Sequence, residues 1–159
     1  MYNSLIRLAI ISMVFLAAPS SGRDQSKPDS SGRKRLIQPA GSRPSTAFSP
    51  AILVGDTLYM SGSIGSDPAT GQLAKGGFEP ELRQIMTNVQ AILKAGGMEL
   101  TDVVSVTAYL ADMSDFQRFN EVYREYFKTE PLPTRSTVAV KELARGARVE
   151  LTMTAVRPH

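Results

Sequence analysis

"PLPTRSTVAVKELARGARVELTMTAV", residues 131–156, is the stretch on which the fold turns. Its second half alternates: Val149, Leu151, Met153 and Ala155 fall on one face, Glu150, Thr152, Thr154 and Val156 on the other. A period of two marks a strand with one face buried. The first half, Ser136 to Val140, is small and β-branched and reads as a buried strand with Arg135 at its mouth. Two terminal strands, near 135–142 and 147–157, are thus joined through "LARGA". Pro131 and Pro133 close off whatever helix precedes them.

Working back from there, Phe116, Phe119, Tyr123, Tyr126 and Phe127 form the apolar stripe of a helix. Ser114, three residues before Gln117, reads as the capping box that opens it. "DVVSVTAYL" alternates as a strand with Val104, Val106, Ala108 and Leu110 on one face. An earlier helix carries Phe78, Leu82, Ile85, Val89 and Ile92 at three- and four-residue steps and stops at Gly96-Gly97. Before it, "AILV" and "TLYMSG" flank Gly55-Asp56, the pattern of a β-hairpin. The order is ββ-α-β-α-ββ, an α+β fold with an at least partly antiparallel sheet and two helices on one face. The opposite face, carrying valine and alanine, then calls for self-association.

The domain spans residues 46–159, preceded by two segments of different character. Residues 1–22 combine a weakly positive start, a run of mainly apolar side chains at 8–18 and the small residues of "APSSG". That order is the pattern of a signal peptide, with cleavage after Ala18 or a few residues later, and the run is short for a membrane span. It points to a periplasmic or secreted domain with no membrane anchor in mature form, or a cytoplasmic one if the signal is not functional. An uncleaved interfacial anchor or a misassigned start codon is the alternative. Residues 23–45 are rich in Ser, Pro, Gly and basic residues and read as a flexible linker.

The sequence pI of about 9.3 suggests nucleic acid until its source is located. Residues 1–45 hold seven Lys/Arg against two acids, whereas residues 46–159 hold 11 Lys/Arg against 13 acids. The domain itself is net −2, which argues against a phosphate-binding footprint.

Catalytic parts are few. The chain has no cysteine, and its one histidine is the last residue, His159. This excludes a Ser-His-Asp triad, a thiol nucleophile and a zinc site of ordinary composition. "GSIGSDPATG" lacks the lysine of a phosphate loop. What remains is Arg135 and Glu150. A guanidinium is suited to a planar carboxylate but cannot move protons at neutral pH; a carboxylate beside two threonines can hold a water or move protons. A structural Arg135–Glu150 ion pair, or two separately solvated side chains, fits the same residues.

"GDTLYMSGSIGSDPATGQL", "TNVQAILKAGG", "VVSVTAYLADMSDFQRFNEVYREYF" and an ungapped P-x-R-S-x-V-x-V-x-x-L-x-x-G-A-x-V-E from Pro133 to Glu150 resemble the Rid family (YjgF, reactive intermediate deaminases) across residues 46–157. The resemblance implies a chorismate-mutase-like fold and a barrel-like homotrimer with clefts between subunits. It also implies hydrolysis of enamines and imines of the 2-aminoacrylate type to 2-oxo acids and ammonia, without metal or cofactor. Carried over by motif, Arg135 takes the substrate carboxylate and Glu150 handles water or protons. Ser61, Gly62 and Asn120 line the cleft. The chain departs from the family pattern at Thr137, often cysteine, and at Phe48, often tyrosine. A non-catalytic module binding small carboxylates is the alternative; ribonuclease activity, translation inhibition and a chaperone-like surface are further readings.

Overall fold

A computed structural model describes residues 33–42 and 44–158. The expected export segment, residues 1–22, lies outside the described residues, as does part of the expected linker.

Among the described residues, seven strands and two helices form the fold. The strands are β1 (Arg35–Ile37), β2 (Ala51–Val54), β3 (Thr57–Met60), β4 (Ser63–Ile64), β5 (Val103–Leu110), β6 (Thr134–Ala139) and β7 (Val149–Val156), and the helices are α1 (Phe78–Ala95) and α2 (Phe116–Tyr126). One mixed sheet runs β1-β2-β3-β7-β5-β6, with β4 also on β7. Only the β5–β6 pairing is parallel, as expected for two strands linked through a helix.

The hairpin forms as expected, Val54 opposite Thr57 across Gly55, whose φ of 56° suits a residue without a Cβ. Helix α1 buries Phe78, Leu82, Ile85, Val89 and Ile92, the stripe read from its spacing, and ends in glycines at 96 and 97. Phe119, Val122 and Tyr123 are the buried face of α2. Both helices pack on the face of the sheet that holds Leu151, Met153 and Ala155, in one core. Each such large apolar side chain taken from water contributes about 1.5–3 kcal/mol.

Four local expectations are corrected. Val104 is 45% exposed and Val103 takes the buried place, because a bulge between Val103 and Ser105 shifts the alternation by one residue. The segment before α2 is capped not by Ser114 but by Asp112, whose carboxylate accepts from the Ser114 amide in a 3₁₀ turn that leads into the helix. Within the span read as linker, Arg35–Ile37 pairs antiparallel with β2, and Ile37 is buried. A single buried side chain in a three-residue strand leaves no periodicity to read. Finally, β6 is not a buried strand but the exposed edge of the sheet. Its β-branched residues are those a covered strand carries, yet among the described residues no element lies beyond it.

Two tethers fix the frame around the terminal strands. Glu81 of α1, the buried charged side chain among the described residues, accepts from the Arg148 amide at 2.8 Å just before β7. Arg83 of α1 bonds Glu79 at 2.9 Å and Glu125 of α2 at 2.8 Å, and hydrogen bonding to it holds both carboxylates below their ordinary range. Gly65 lies against α1 so closely that an added Cβ would stand 2.5 Å from the Glu81 Cα and carbonyl oxygen. Those are backbone atoms and cannot rotate aside. Gly65→Ala is therefore expected to cost about 3 kcal/mol and lower the thermal midpoint by roughly 10 °C or more. A midpoint within about 2 °C of wild type by calorimetry would show that α1 can shift freely.

Candidate active site

The register assigns each candidate to a face, since paired residues in a sheet point the same way. Arg135 pairs with Val106, which pairs with Met153, and both of those are buried beneath the helices. Glu150 pairs with Tyr109 and Ile64 on the opposite face. Arg135 and Glu150 of one chain thus lie on opposite faces of the sheet. No ion pair links them among the described residues, which removes the structural-pair reading.

The candidates gather into two half-sites. On the helix face, at the β6 edge, the Arg135 Nη2 donates to Asn120 Oδ1 at 2.7 Å. Its guanidinium carbon stands 5.0 Å from the Phe119 ring centroid and 4.7 Å from that of Tyr123. Thr137, two residues on, faces the same way; its Oγ1 is buried without a hydrogen-bond partner. The Tyr123 hydroxyl is likewise buried and unpartnered, and burial pushes its pKa up to about 12 against the pull of Arg135, so it stays protonated. Buried hydroxyls without partners are uncommon and mark a place where polar contact is left over.

On the other face, Ser61 and Gly62 interrupt the run from β3 to β4. An ideal Cβ on Gly62 would meet Glu150 Oε1 at 2.0 Å, so the carboxylate lies directly over that glycine. Only a residue without a side chain admits it. Ser61 Oγ donates to the Ser49 carbonyl at 2.7 Å and its amide donates to the Pro50 carbonyl at 2.9 Å, which anchors the loop bearing Phe48 beside this half-site. The Phe48 ring itself is 60% exposed. The sequence offers candidates on both faces but not their separation. The apolar stripe assigns Phe119 and Tyr123 to the core, yet their i, i+4 spacing also suits a platform for a cation.

The family profile described as Endoribonuclease L-PSP matches residues 40–157. A 2-iminobutanoate/2-iminopropanoate deaminase of Bos taurus is 46% identical over 110 residues, covering 69% of this chain and 80% of the relative. The chain belongs to the Rid (YjgF, L-PSP) family. The human 2-iminobutanoate/2-iminopropanoate deaminase is 44% identical to this Rid chain over 110 residues, with 69% and 80% of the two chains covered. Among solved structures, RidA from the Antarctic bacterium Psychrobacter sp. PAMC 21119 superposes with a TM-score of 0.72 at 36% identity, covering 77% of the Rid chain and 99% of the other. The fold is thus the YjgF fold, with two helices packed on a mixed sheet.

Among the described residues no group of three or more His, Cys, Asp or Glu side chains is placed to hold a metal ion, and no helix is long and apolar enough to cross a membrane.

Proposed function

We propose that this chain hydrolyses reactive enamines and imines of the 2-aminoacrylate type to 2-oxo acids and ammonia. The observation that carries the reading is an Arg135 guanidinium seated on two rings and one amide oxygen, with no carboxylate partner from its own chain among the described residues. A permanent cation so placed is set for a carboxylate from outside. The relatives named as deaminases of 2-iminobutanoate and 2-iminopropanoate act on small imino acids, each bearing such a carboxylate.

The chemistry asks little of the protein. An enamine first becomes the imine by gaining a proton at its terminal carbon and losing one from nitrogen. Water then adds to the C=N carbon, the resulting carbinolamine loses ammonia, and the C=O of the 2-oxo acid remains. Arg135 fixes the carboxylate end and so orients the imine carbon. Glu150 takes a proton from the attacking water and delivers one to the departing nitrogen. No covalent nucleophile enters, which agrees with the lack of cysteine and of an internal histidine.

Since the two halves face opposite ways in one chain, the reading places the working site between copies: Arg135, Asn120 and Thr137 from one, Glu150, Ser61, Gly62 and Phe48 from the next. The face opposite the helices supports this, with Tyr59, Val138 and Val156 exposed on it, as does the open β6 edge. A homotrimer closes three such contacts by rotation, and light scattering at micromolar concentration tests it. The export segment adds that the domain works outside the cytoplasm, which fractionation of the native host tests.

Purified domain is expected to speed the decay of an imine generated in the cuvette by an amino-acid oxidase, followed by trapping with semicarbazide. Decay no faster than in buffer would sink the reading. Binding of 2-oxobutanoate without turnover would leave the carboxylate-binding module instead. Cleavage of RNA by nuclease-free protein would restore the ribonuclease alternative.

A further inference from the structure

We propose that Phe119 and Tyr123 are positioning residues for carboxylate recognition: an aromatic cradle that holds the Arg135 guanidinium flat, with its donor edge turned to the ligand. The inference rests on the reading of Arg135 as the carboxylate anchor and goes beyond it, to what makes that anchor effective.

Arg135 is on an exposed edge strand, where a long side chain ordinarily samples many rotamers and must be ordered when a ligand arrives. Here three successive features of α2 restrain it. Phe119 and Tyr123, one helical turn apart, present their rings at 5.0 and 4.7 Å from the guanidinium carbon. Asn120 between them takes a hydrogen bond from Nη2 at 2.7 Å. A ring face attracts a cation through its quadrupole without consuming an N–H, so the platform orders the group while leaving donors open. The rings are themselves fixed: Phe119 is fully buried, and Tyr123 packs on Phe119 at 5.4 Å and stacks on Phe127 at 4.5 Å. The unpartnered Tyr123 hydroxyl argues the same way. A tyrosine whose hydroxyl engages nothing, at a place where it touches a cation with its ring, contributes through that ring.

Substitution at residue 123 separates the ring's electrostatics from its shape. Pentafluorophenylalanine at 123 keeps the volume of phenylalanine and reverses the sign of the ring face, so the fold is retained while the attraction is lost. Relative to Tyr123→Phe, the Kd for 2-oxobutanoate and the KM for the imine are expected to rise about three- to tenfold, with kcat within about twofold. Tyr123→Leu should show a similar or larger loss, and Tyr123→Phe should recover the wild-type values. Equal affinities in the phenylalanine and pentafluoro variants would overturn the cradle, as would a Tyr123→Phe loss as large as that of leucine.

A second readout needs no ligand. Solvent exchange of the Arg135 Nε–H, followed by ¹⁵N NMR, is expected to quicken in the pentafluoro variant. Unchanged exchange there overturns the cradle even if wild type turns over imine. Quickened exchange in a protein that neither binds 2-oxobutanoate nor turns over imine sustains the cradle and overturns only the deaminase reading.

Discussion

Arg135→Ala is expected to lose about 2–5 kcal/mol of transition-state binding, a fall in kcat/KM of roughly 30-fold to several thousandfold. On the proposed reading, the lost interaction is a charge-assisted pair to the substrate carboxylate, made at the end of the molecule that does not react. Such contacts set orientation as well as affinity, so kcat should fall along with the rise in KM. Stability should change little, because Arg135 is an exposed residue with no ion pair among the described residues, and its contacts there are one hydrogen bond to Asn120 and two ring faces. Wild-type and variant protein compared in the oxidase-coupled assay, with melting curves alongside, make the check. A variant within about threefold of wild type would remove Arg135 from the site.

Glu150→Gln is expected to behave differently. Glutamine keeps the shape that lies over Gly62 but removes the negative charge and the capacity to exchange a proton. General acid–base assistance is worth about 10²–10⁴-fold, so kcat should fall by that order while the affinity for 2-oxobutanoate stays near wild type. Full retention of kcat would assign the protons to water alone. A rise in KM with kcat unchanged would recast Glu150 as a binding group. Together the two variants divide the proposed site along the line that the sheet draws, with anchoring on the helix face and proton handling on the other.

How much was legible in the sequence follows from how each element is buried. Helix α1 and strand β7 were read residue by residue because each presents one face to the core, which forces a period of 3.6 or of two onto its apolar residues. Strand β6 carries the β-branched composition of a covered strand, yet among the described residues it is the open edge. What the proposed assembly would cover there is outside the single chain. At Val104 a bulge defeats strict alternation: the register shifts between Val103 and Ser105, so Val103 is buried and Val104 exposed, while Val106, Ala108 and Leu110 stay on the buried face. Three-residue β1 and two-residue β4 are too short for any period to show.

The candidate residues were likewise legible as a set and illegible as an arrangement. Composition alone removed thiol, histidine and ordinary zinc chemistry, and the run from Pro133 to Glu150 carried the family resemblance that the comparisons then bore out. Side-chain types and their local spacing depend on the chain itself, and those the sequence determined: the α+β class, most of the helix and strand faces, and Arg135 and Glu150 as candidates. Which face of the sheet each group occupies depends on register across β6, β5 and β7, a relation between residues far apart along the chain. Only the tertiary structure decided that. By setting Arg135 on two aromatic rings and Glu150 over Gly62 on the opposite side, it removed the ion pair within one chain and left the two groups apart, as the proposed site between copies requires.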